Sequence, residues 1–272
     1  MRNSNAIDLD SDFDLRVEQI THFRERGFVK LKNVLSPGTI AHYGPAITEA
    51  VKRLNQQHKP LSERSTYQKA FLQVMNIWTK DPIVREFSFS RRLARIAAEL
   101  MGTRGVRMYH DQALYKEPGG GITPWHADQF YWPLSSDKCC TVWIPLQATP
   151  MEMGPLAFSI GSHKFDAGRS LGISDESEEK IQKALAAKNL PLDEGPFDSG
   201  EVSFHCGWTF HRAGPNTTTR PRAVMTMIYL DEDMRIAEPG NVNQASDMKV
   251  WFPGKKPGDI AASELNPVLY SG

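Results

Sequence analysis

The chain has 272 residues, with 32 basic and 32 acidic side chains and therefore no formal net charge. This length allows one large β-barrel domain or two smaller domains. The balanced charge indicates neither a nucleic-acid partner nor a membrane-surface partner. The sequence contains no run of about 18 apolar residues, so no membrane-spanning helix is predicted.

The N-terminal segment and the cysteines bear on where the protein works. The first residues are polar and acidic, whereas a secretory signal places basic residues before an apolar run. The three cysteines are Cys139, Cys140 and Cys206. An odd number, with two of them adjacent, argues against a disulfide framework. We therefore expect a reducing, cytoplasmic setting.

Helical patterns and one strand precede residue 105. Apolar residues at helical spacing predict a helix over residues 14–27, and the alternating run at 28–35 predicts a strand. Ser36 followed by Pro37 is typical of a helix start, because serine caps the first turn and proline fits its first position. A further helical pattern covers residues 82–101.

After Gly105 the sequence becomes a series of short runs rich in aromatic and β-branched residues. Many short strands separated by Gly, Pro, Asn and Asp predict a sandwich, jelly roll or barrel. An insertion at 163–200 interrupts them with an acidic helix, which is either a lid or a solvated decoration. We predict one domain over residues 1–272, made of a mostly helical flank (1–104), a β core (105–232) and a tail (233–272).

Two histidines and an aspartate have the spacing of a metal site. His126 and Asp128 are two residues apart in a predicted strand, so both are expected to point into the barrel. His211, 85 residues after His126, lies on another predicted strand and supplies a third ligand. This set is typical of Fe(II) with open coordination positions, although zinc sites use similar ligands. His205 competes for the third position but has Asn216 eleven residues beyond it.

Arg222 lies eleven residues after His211, at the start of a predicted strand. A buried arginine needs an anion because an unpaired charge in the interior is costly. Its planar guanidinium suits a carboxylate, so a 2-oxo acid is the expected partner. Arg220, two residues earlier, either gives second support on the same face or lies in the turn and faces water.

Aromatic residues surround the predicted ligand pair. If strand alternation continues past Asp128, Phe130 and Trp132 share its face and line a substrate pocket. Core packing is the alternative, and both roles are compatible because pockets are mostly apolar. The cluster favours a small-molecule substrate that is apolar or aromatic.

Several motifs taken together resemble the phytanoyl-CoA dioxygenase family of Fe(II)/2-oxoglutarate-dependent oxygenases. They are THFRERGFVKLKNVLS, YKEPGGGITPWHAD, TVWIPLQ, GPLAFSIGSH and FHRAGPNTTTRPRAVMTMIY, and they extend over most of the chain. The resemblance implies a mainly β fold, the double-stranded β-helix or cupin-like jelly roll, with N-terminal helices packed outside it.

The resemblance also implies the cofactors and the residues that hold them. Fe(II) is the implied metal, with 2-oxoglutarate and O2 as cosubstrates. The implied catalytic and metal-binding residues are His126, Asp128 and His211, and the implied cosubstrate-binding residues are Arg222, Gln112, Trp143 and Arg220.

The resemblance implies an oxidation reaction. Halogenases of this superfamily have a small residue where this chain has Asp128, so hydroxylation is favoured over halogenation. The predicted reaction is hydroxylation of a small, partly apolar metabolite with release of succinate and CO2. The alternatives are desaturation, epoxidation or rearrangement with the same cofactors in natural-product biosynthesis, a non-catalytic metal-binding barrel, and a zinc hydrolase.

Overall fold

The computed structural model of the chain describes residues 7–272, in which two antiparallel sheets face each other and helices pack outside them. The helices of this part of the chain are α1 (Val17–Arg26), α2 (Pro37–Leu54), α3 (Thr66–Ala70), α4 (Pro82–Ser88), α5 (Arg91–Met101), α6 (Asp175–Ala187) and α7 (Val242–Trp251). Its strands are β1 (Phe28–Leu31), β2 (Leu72–Met75), β3 (Gly105–Tyr115), β4 (Thr123–His126), β5 (Cys139–Pro145), β6 (Leu156–Ser159), β7 (Leu192–Glu194), β8 (Val202–Cys206), β9 (His211–Ala213), β10 (Val224–Asp231) and β11 (Val268–Ser271). No helix in residues 7–272 has the length and apolarity that a membrane span requires.

The larger sheet has the strand order β1-β8-β5-β10-β3-β11, and β2 pairs with the C-terminal part of β3. The smaller sheet has the order β4-β9-β6-β7. Neighbouring strands are antiparallel in both sheets. The predicted double-stranded β-helix with flanking N-terminal helices is therefore confirmed.

Strands from outside the predicted β core complete the larger sheet. β3 and β10 lie at the two ends of that core, and they pair with each other. β1 and β2 come from the flank, and β11 comes from the tail. These pairings fix both terminal regions to the same sheet.

The helix starts follow local capping chemistry. Ser36 Oγ accepts a hydrogen bond from the Thr39 N–H (3.0 Å), and α2 begins at the next residue, Pro37. The helical pattern at 82–101 forms two helices instead of one, because Ser90 caps the N-terminus of α5 and interrupts the first.

The main apolar core lies between the outer face of the larger sheet and the N-terminal helices. Its members include Phe23, Ile47, Phe87, Leu93, Met108, Val142 and Met227, all buried. A second cluster fills part of the space between the sheets, with Phe28, Phe158 and Phe197 among its members. A third cluster, which includes Ile228, Leu230 and Trp251, packs α7 against the larger sheet, and a cavity lies between the two sheets.

The helix of the insertion belongs to the outer layer of the fold. Ile181 and Leu185 on α6 are buried against Trp125, Ala127 and Phe210, which form the outer face of the smaller sheet. The outward-facing side of α6 carries the charged residues expected of a solvated helix. α6 therefore covers the strands that hold the two site histidines.

Candidate active site

A cavity of about 260 Å³ lies between the two sheets, and side chains from both sheets line it. On the larger sheet, Gln112 and Leu114 are two residues apart on β3 and both face it, as alternation along a strand requires. His126 and His211 reach it from the smaller sheet. The predicted ligands and the predicted cosubstrate arginine therefore meet in one place.

Two imidazole rings face each other across the β4–β9 pair. His126 is directly opposite His211 in the register, and the ring centroids are 4.1 Å apart. Nδ1 of His126 lies 2.8 Å from the Pro124 carbonyl oxygen, and Nδ1 of His211 lies 3.0 Å from that of Thr209. Because a carbonyl only accepts hydrogen bonds, each Nδ1 carries the proton and each Nε2 presents a lone pair. This tautomer is the one that binds a metal through Nε2.

Asp128 reaches the same point from a turn, so the prediction that it lies on a strand is wrong. β4 ends at His126, and Asp128 begins the short 3-10 helix Asp128–Tyr131. Its Oδ1 atom lies 3.5 Å from His126 Nε2 and 3.6 Å from His211 Nε2. One ligand atom from each of the three residues lies within 4.8 Å of the others, which is close enough for a single ion to contact all three.

The charge states of this group suit a divalent cation. Burial alone would raise the pKa of Asp128, but the neighbouring histidines outweigh it and hold that pKa well below the usual range. Burial, followed by the nearby His126, lowers the pKa of His211 well below its usual value. An ionised carboxylate beside a neutral imidazole is the state that metal binding requires, so the donor set fits Fe(II).

His205 contacts the triad without being one of its three members. Its Nε2 atom lies 3.3 Å from Asp128 Oδ2, and Thr141 Oγ1 donates to the same oxygen at 2.8 Å. Both residues lie on the larger sheet, so they hold the carboxylate with Oδ1 turned toward the histidines of the smaller sheet. His205 is thus a pocket residue. No local sequence signal identifies its contact with Asp128, because 77 residues separate the two.

Arg222 is a buried cation without a carboxylate partner among the described residues. It is 1% exposed, its Nη1 donates to the Gly154 carbonyl, and its guanidinium carbon lies 5.4 Å from the centroid of the Trp143 ring. Its Nε has no hydrogen-bond partner in residues 7–272. Burial lowers the pKa of Arg222 to about 9, so it is charged at neutral pH. An incoming carboxylate would supply the missing anion.

A second buried basic side chain, that of Lys116, lies near Arg222. Lys116 Nζ donates to the Gly121 carbonyl and lies 3.3 Å from Thr123 Oγ1, and the side chain is fully buried. Burial, and then the charge of Arg222, lowers the pKa of Lys116 to about 6. Lys116 belongs to the motif YKEPGGGITPWHAD, but no role is predicted for it from the sequence.

Gln112 and Trp143 both line the cavity, as the resemblance implies for cosubstrate contacts. Gln112 Oε1 accepts from Gln73 Nε2 at 2.6 Å, which leaves its own amide N–H groups to donate elsewhere. Trp143 Nε1 is buried and has no hydrogen-bond partner in residues 7–272. Both side chains therefore offer donors to an anionic ligand.

Of the remaining predicted site residues, Trp132 lines the cavity, whereas Arg220 and Phe130 do not. Arg220 is exposed in the turn before β10 and does not line the cavity, which corrects its expected role as second support for the cosubstrate. Phe130 points elsewhere because the 3-10 helix ends the strand alternation, and its ring lies beside Gly172. Tyr131 lines the cavity where Phe130 was expected.

Comparison with known proteins agrees with this geometry. The family model described as phytanoyl-CoA dioxygenase (PhyH) matches residues 23–224. A relative from Stutzerimonas stutzeri, a probable alpha-ketoglutarate-dependent hypophosphite dioxygenase, is 24% identical over 232 residues, which cover 79% of each chain. Alpha-ketoglutarate is another name for 2-oxoglutarate.

Solved structures share the fold across almost the whole chain. The alpha-ketoglutarate-dependent carbocyclase SnoK from nogalamycin biosynthesis has a TM-score of 0.76 at 25% identity, covering 94% of this chain and 96% of that one. The epimerase SnoN, in complex with Fe3+, alpha-ketoglutarate and nogalamycin RO, has a TM-score of 0.74 at 22% identity, covering 93% and 98%. EctD from S. alaskensis, with 2-oxoglutarate and 5-hydroxyectoine, has a TM-score of 0.68 at 19% identity, covering 88% and 86%. The chain belongs to the phytanoyl-CoA dioxygenase family and is an iron- and 2-oxoglutarate-dependent dioxygenase.

Proposed function

We propose that this dioxygenase hydroxylates a small, partly apolar metabolite and releases succinate and CO2. The observation that carries the proposal is that one cavity contains both the His126, Asp128 and His211 group and Arg222, which has no carboxylate partner among residues 7–272. In this proposal the three residues hold Fe(II), and Arg222 binds the distal carboxylate of 2-oxoglutarate. A zinc hydrolase would have no use for the buried arginine.

The chain's own residues bind and orient the reactants. Fe(II), once bound with 2-oxoglutarate and O2, supplies the oxidation of an unactivated C–H bond. Trp143 and Gln112 would donate hydrogen bonds to the cosubstrate, and the Trp143 ring packs beneath Arg222. Arg222 is 1% exposed, and a buried environment strengthens the attraction of its charge for a carboxylate. Positioning the target carbon is then the task of the aromatic end of the cavity.

A second candidate is oxidation without net hydroxylation. SnoK, at 25% identity, is a carbocyclase, and SnoN is an epimerase, although both depend on alpha-ketoglutarate. The same iron site would serve both outcomes, because the outcome depends on how the substrate is held after hydrogen removal. Product analysis separates the two candidates.

The test is a substrate screen that reads succinate release above the background rate, followed by product mass analysis under 18O2. Hydroxylation predicts one 18O atom in the product and one succinate per product. A product without 18O would favour the second candidate. If no compound stimulates succinate release while iron and 2-oxoglutarate bind, the non-catalytic barrel is favoured.

A further inference from the structure

The end of the cavity nearest α7 carries a carboxylate that the proposed chemistry does not use. Asp247 lies on α7 and lines the cavity. Tyr109 Oη donates to its Oδ2 atom at 2.8 Å. No lysine or arginine within residues 7–272 is close enough to shift its pKa, which burial raises to about 6. At neutral pH Asp247 is therefore a half-buried negative charge with no neighbouring lysine or arginine in the described part of the chain.

Two tyrosines show that Asp247 faces the same space as the metal site. Tyr67 and Tyr131 both line the cavity. Burial raises the pKa of each phenol, and the negative charges of both Asp128 and Asp247 raise it further. Asp128 and Asp247 line the same cavity as the two phenols, so a molecule bound beside the tyrosines shares that cavity with both carboxylates.

The substrate end of the cavity has no positive charge to receive an anion. Arg222 is the one lysine or arginine among the described residues that line the cavity, and the proposed function assigns it to 2-oxoglutarate. His110 also lines the cavity, but burial lowers its pKa to about 4, so it is neutral. The lining that the cavity shares with Asp247 also includes the aromatic side chains of Tyr67, Phe71 and Trp132.

We propose that the substrate carries a protonated amine, which Asp247 binds while the neighbouring aromatic rings pack against the rest of the molecule. A charged donor gives a stronger hydrogen bond to a carboxylate than a hydroxyl does. Aromatic faces also attract ammonium groups. Anionic substrates such as hypophosphite or a CoA thioester would meet an uncompensated negative charge instead. This inference rests on the proposed function, because it takes Arg222 to be occupied by 2-oxoglutarate.

The experiment compares three probes of similar shape that differ in charge. Phenethylamine, 2-phenylethanol and 3-phenylpropionate are titrated calorimetrically, under anaerobic conditions, into protein loaded with Fe(II) and 2-oxoglutarate. The same titrations use Asp247→Asn, which keeps an acceptor for Tyr109. The matched control is Asp233→Asn, which makes the same change at an aspartate that is 74% exposed and does not line the cavity. The affinity for 2-oxoglutarate is measured in every sample.

We expect phenethylamine to bind at least tenfold more tightly than 3-phenylpropionate, with 2-phenylethanol between them. Asp247→Asn should weaken the amine about tenfold without changing the affinity for 2-oxoglutarate, and Asp233→Asn should match the wild type. Three outcomes would overturn this inference without affecting the proposed function. They are equal or tighter binding of 3-phenylpropionate, an unchanged affinity of Asp247→Asn for phenethylamine, and binding of none of the probes. Failure of wild-type protein to bind 2-oxoglutarate would overturn the proposed function and this inference with it.

Discussion

At the scale of single residues, the orientation of the Asp128 carboxylate depends on its second oxygen. Thr141 Oγ1 donates to Oδ2 at 2.8 Å, and His205 Nε2 lies 3.3 Å from the same atom. Oδ1 is thereby left facing the two site histidines. Removing a group that orients a metal ligand typically weakens metal binding about 10–100-fold.

Thr141→Val should therefore weaken Fe(II) binding about 10–100-fold, because valine has the shape of threonine but no hydroxyl to donate. Thr141→Ser keeps the donor and is the matched control, expected to bind iron nearly as the wild type does. Anaerobic equilibrium titration with Fe(II) gives the three dissociation constants. A valine variant with wild-type affinity would show that His205 alone orients the carboxylate.

Lys116 is a residue whose effect on stability depends on pH. Its pKa is about 6 in the folded chain, against an ordinary value of 10.5. Between those values the unfolded chain holds one more proton, so the stability of the wild type rises with pH. The contribution of Lys116 to the free energy of unfolding is fully present above the pKa of the unfolded chain, and it is lost as the pH falls through the pKa of the folded chain. Lys116→Met removes this group and its pH dependence.

The stability of Lys116→Met relative to the wild type should thus be most favourable near pH 6 and decline as the pH rises toward 10. The expected slope of this difference is about 1.4 kcal/mol per pH unit. Denaturant unfolding of both proteins at several pH values measures it. A difference that stays constant with pH would mean that the buried amine keeps its proton.

At the scale of elements, one glutamate fastens α6 to the two strands that hold the site histidines. Glu178 Oε2 accepts from the Trp125 N–H at 2.8 Å, next to His126 on β4. Glu178 Oε1 accepts from Arg212 Nη1 at 2.9 Å, next to His211 on β9. α6 is therefore a fixed cover over the smaller sheet, and opening it would break both bonds.

Glu178→Ala should lower the free energy of unfolding by about 1–3 kcal/mol, because it leaves a partly buried N–H and a guanidinium without their acceptor. Glu179→Ala is the control on the same helix. Within residues 7–272 the ion-pair partner of Glu179 is Lys183. Both side chains are largely exposed, and removal of Glu179 should cause no measurable change. The comparison uses the denaturant concentration at the unfolding midpoint of each variant, provided that the dependence of the free energy of unfolding on denaturant is unchanged. Equal effects of the two changes would contradict the account of Glu178.

Helix and strand positions could be predicted where the residues that determine them are neighbours in the sequence. The Ser36 cap and the alternating run before it place α2 and β1 close to their observed positions. Strand alternation failed at Asp128, because the Gln129 N–H bonds to the Gly207 carbonyl (2.9 Å) and draws the chain into a 3-10 helix. That bond joins residues far apart in sequence, so no local pattern contains it.

The same limit applies to the site. The sequence could predict that His126, Asp128, His211 and Arg222 lie around one cavity, since metal and carboxylate binding restrict which residue types serve, whereas their binding roles stay predictions. The sequence could not exclude Arg220 as a residue of the site. Arg220 precedes Arg222 by two residues, and that distance is enough to place it in the exposed turn instead of the cavity. Asp247 reaches the cavity only through the packing of α7, and nothing in its own segment indicates that contact.

At the scale of the whole molecule, the candidate metal site joins the two sheets. His126 and His211 belong to the smaller sheet, whereas Thr141 and His205 hold Asp128 from the larger one. An ion bound to all three ligands would therefore cross-link the two layers of the fold. Binding to the folded chain alone raises its stability by mass action.

Iron should raise the melting temperature of the apo protein by about 5 °C at a free concentration 100 times its dissociation constant, where the stabilisation is about 2.7 kcal/mol. Chelation should reverse the shift. His126→Ala should show no shift, and His58→Ala, which removes an exposed histidine, should keep the full shift. Anaerobic thermal melts measure all of these, and an equal shift in His126→Ala would place the ion elsewhere.

The most direct test of the central claim is an anaerobic titration of the apo protein with Fe(II) and 2-oxoglutarate, following the visible metal-to-ligand charge-transfer band. We expect the band in the wild type, its loss in His126→Ala and a weakened band in Arg222→Ala. Absence of the band in the wild type, with tight zinc binding instead, would contradict the roles proposed for this triad and arginine.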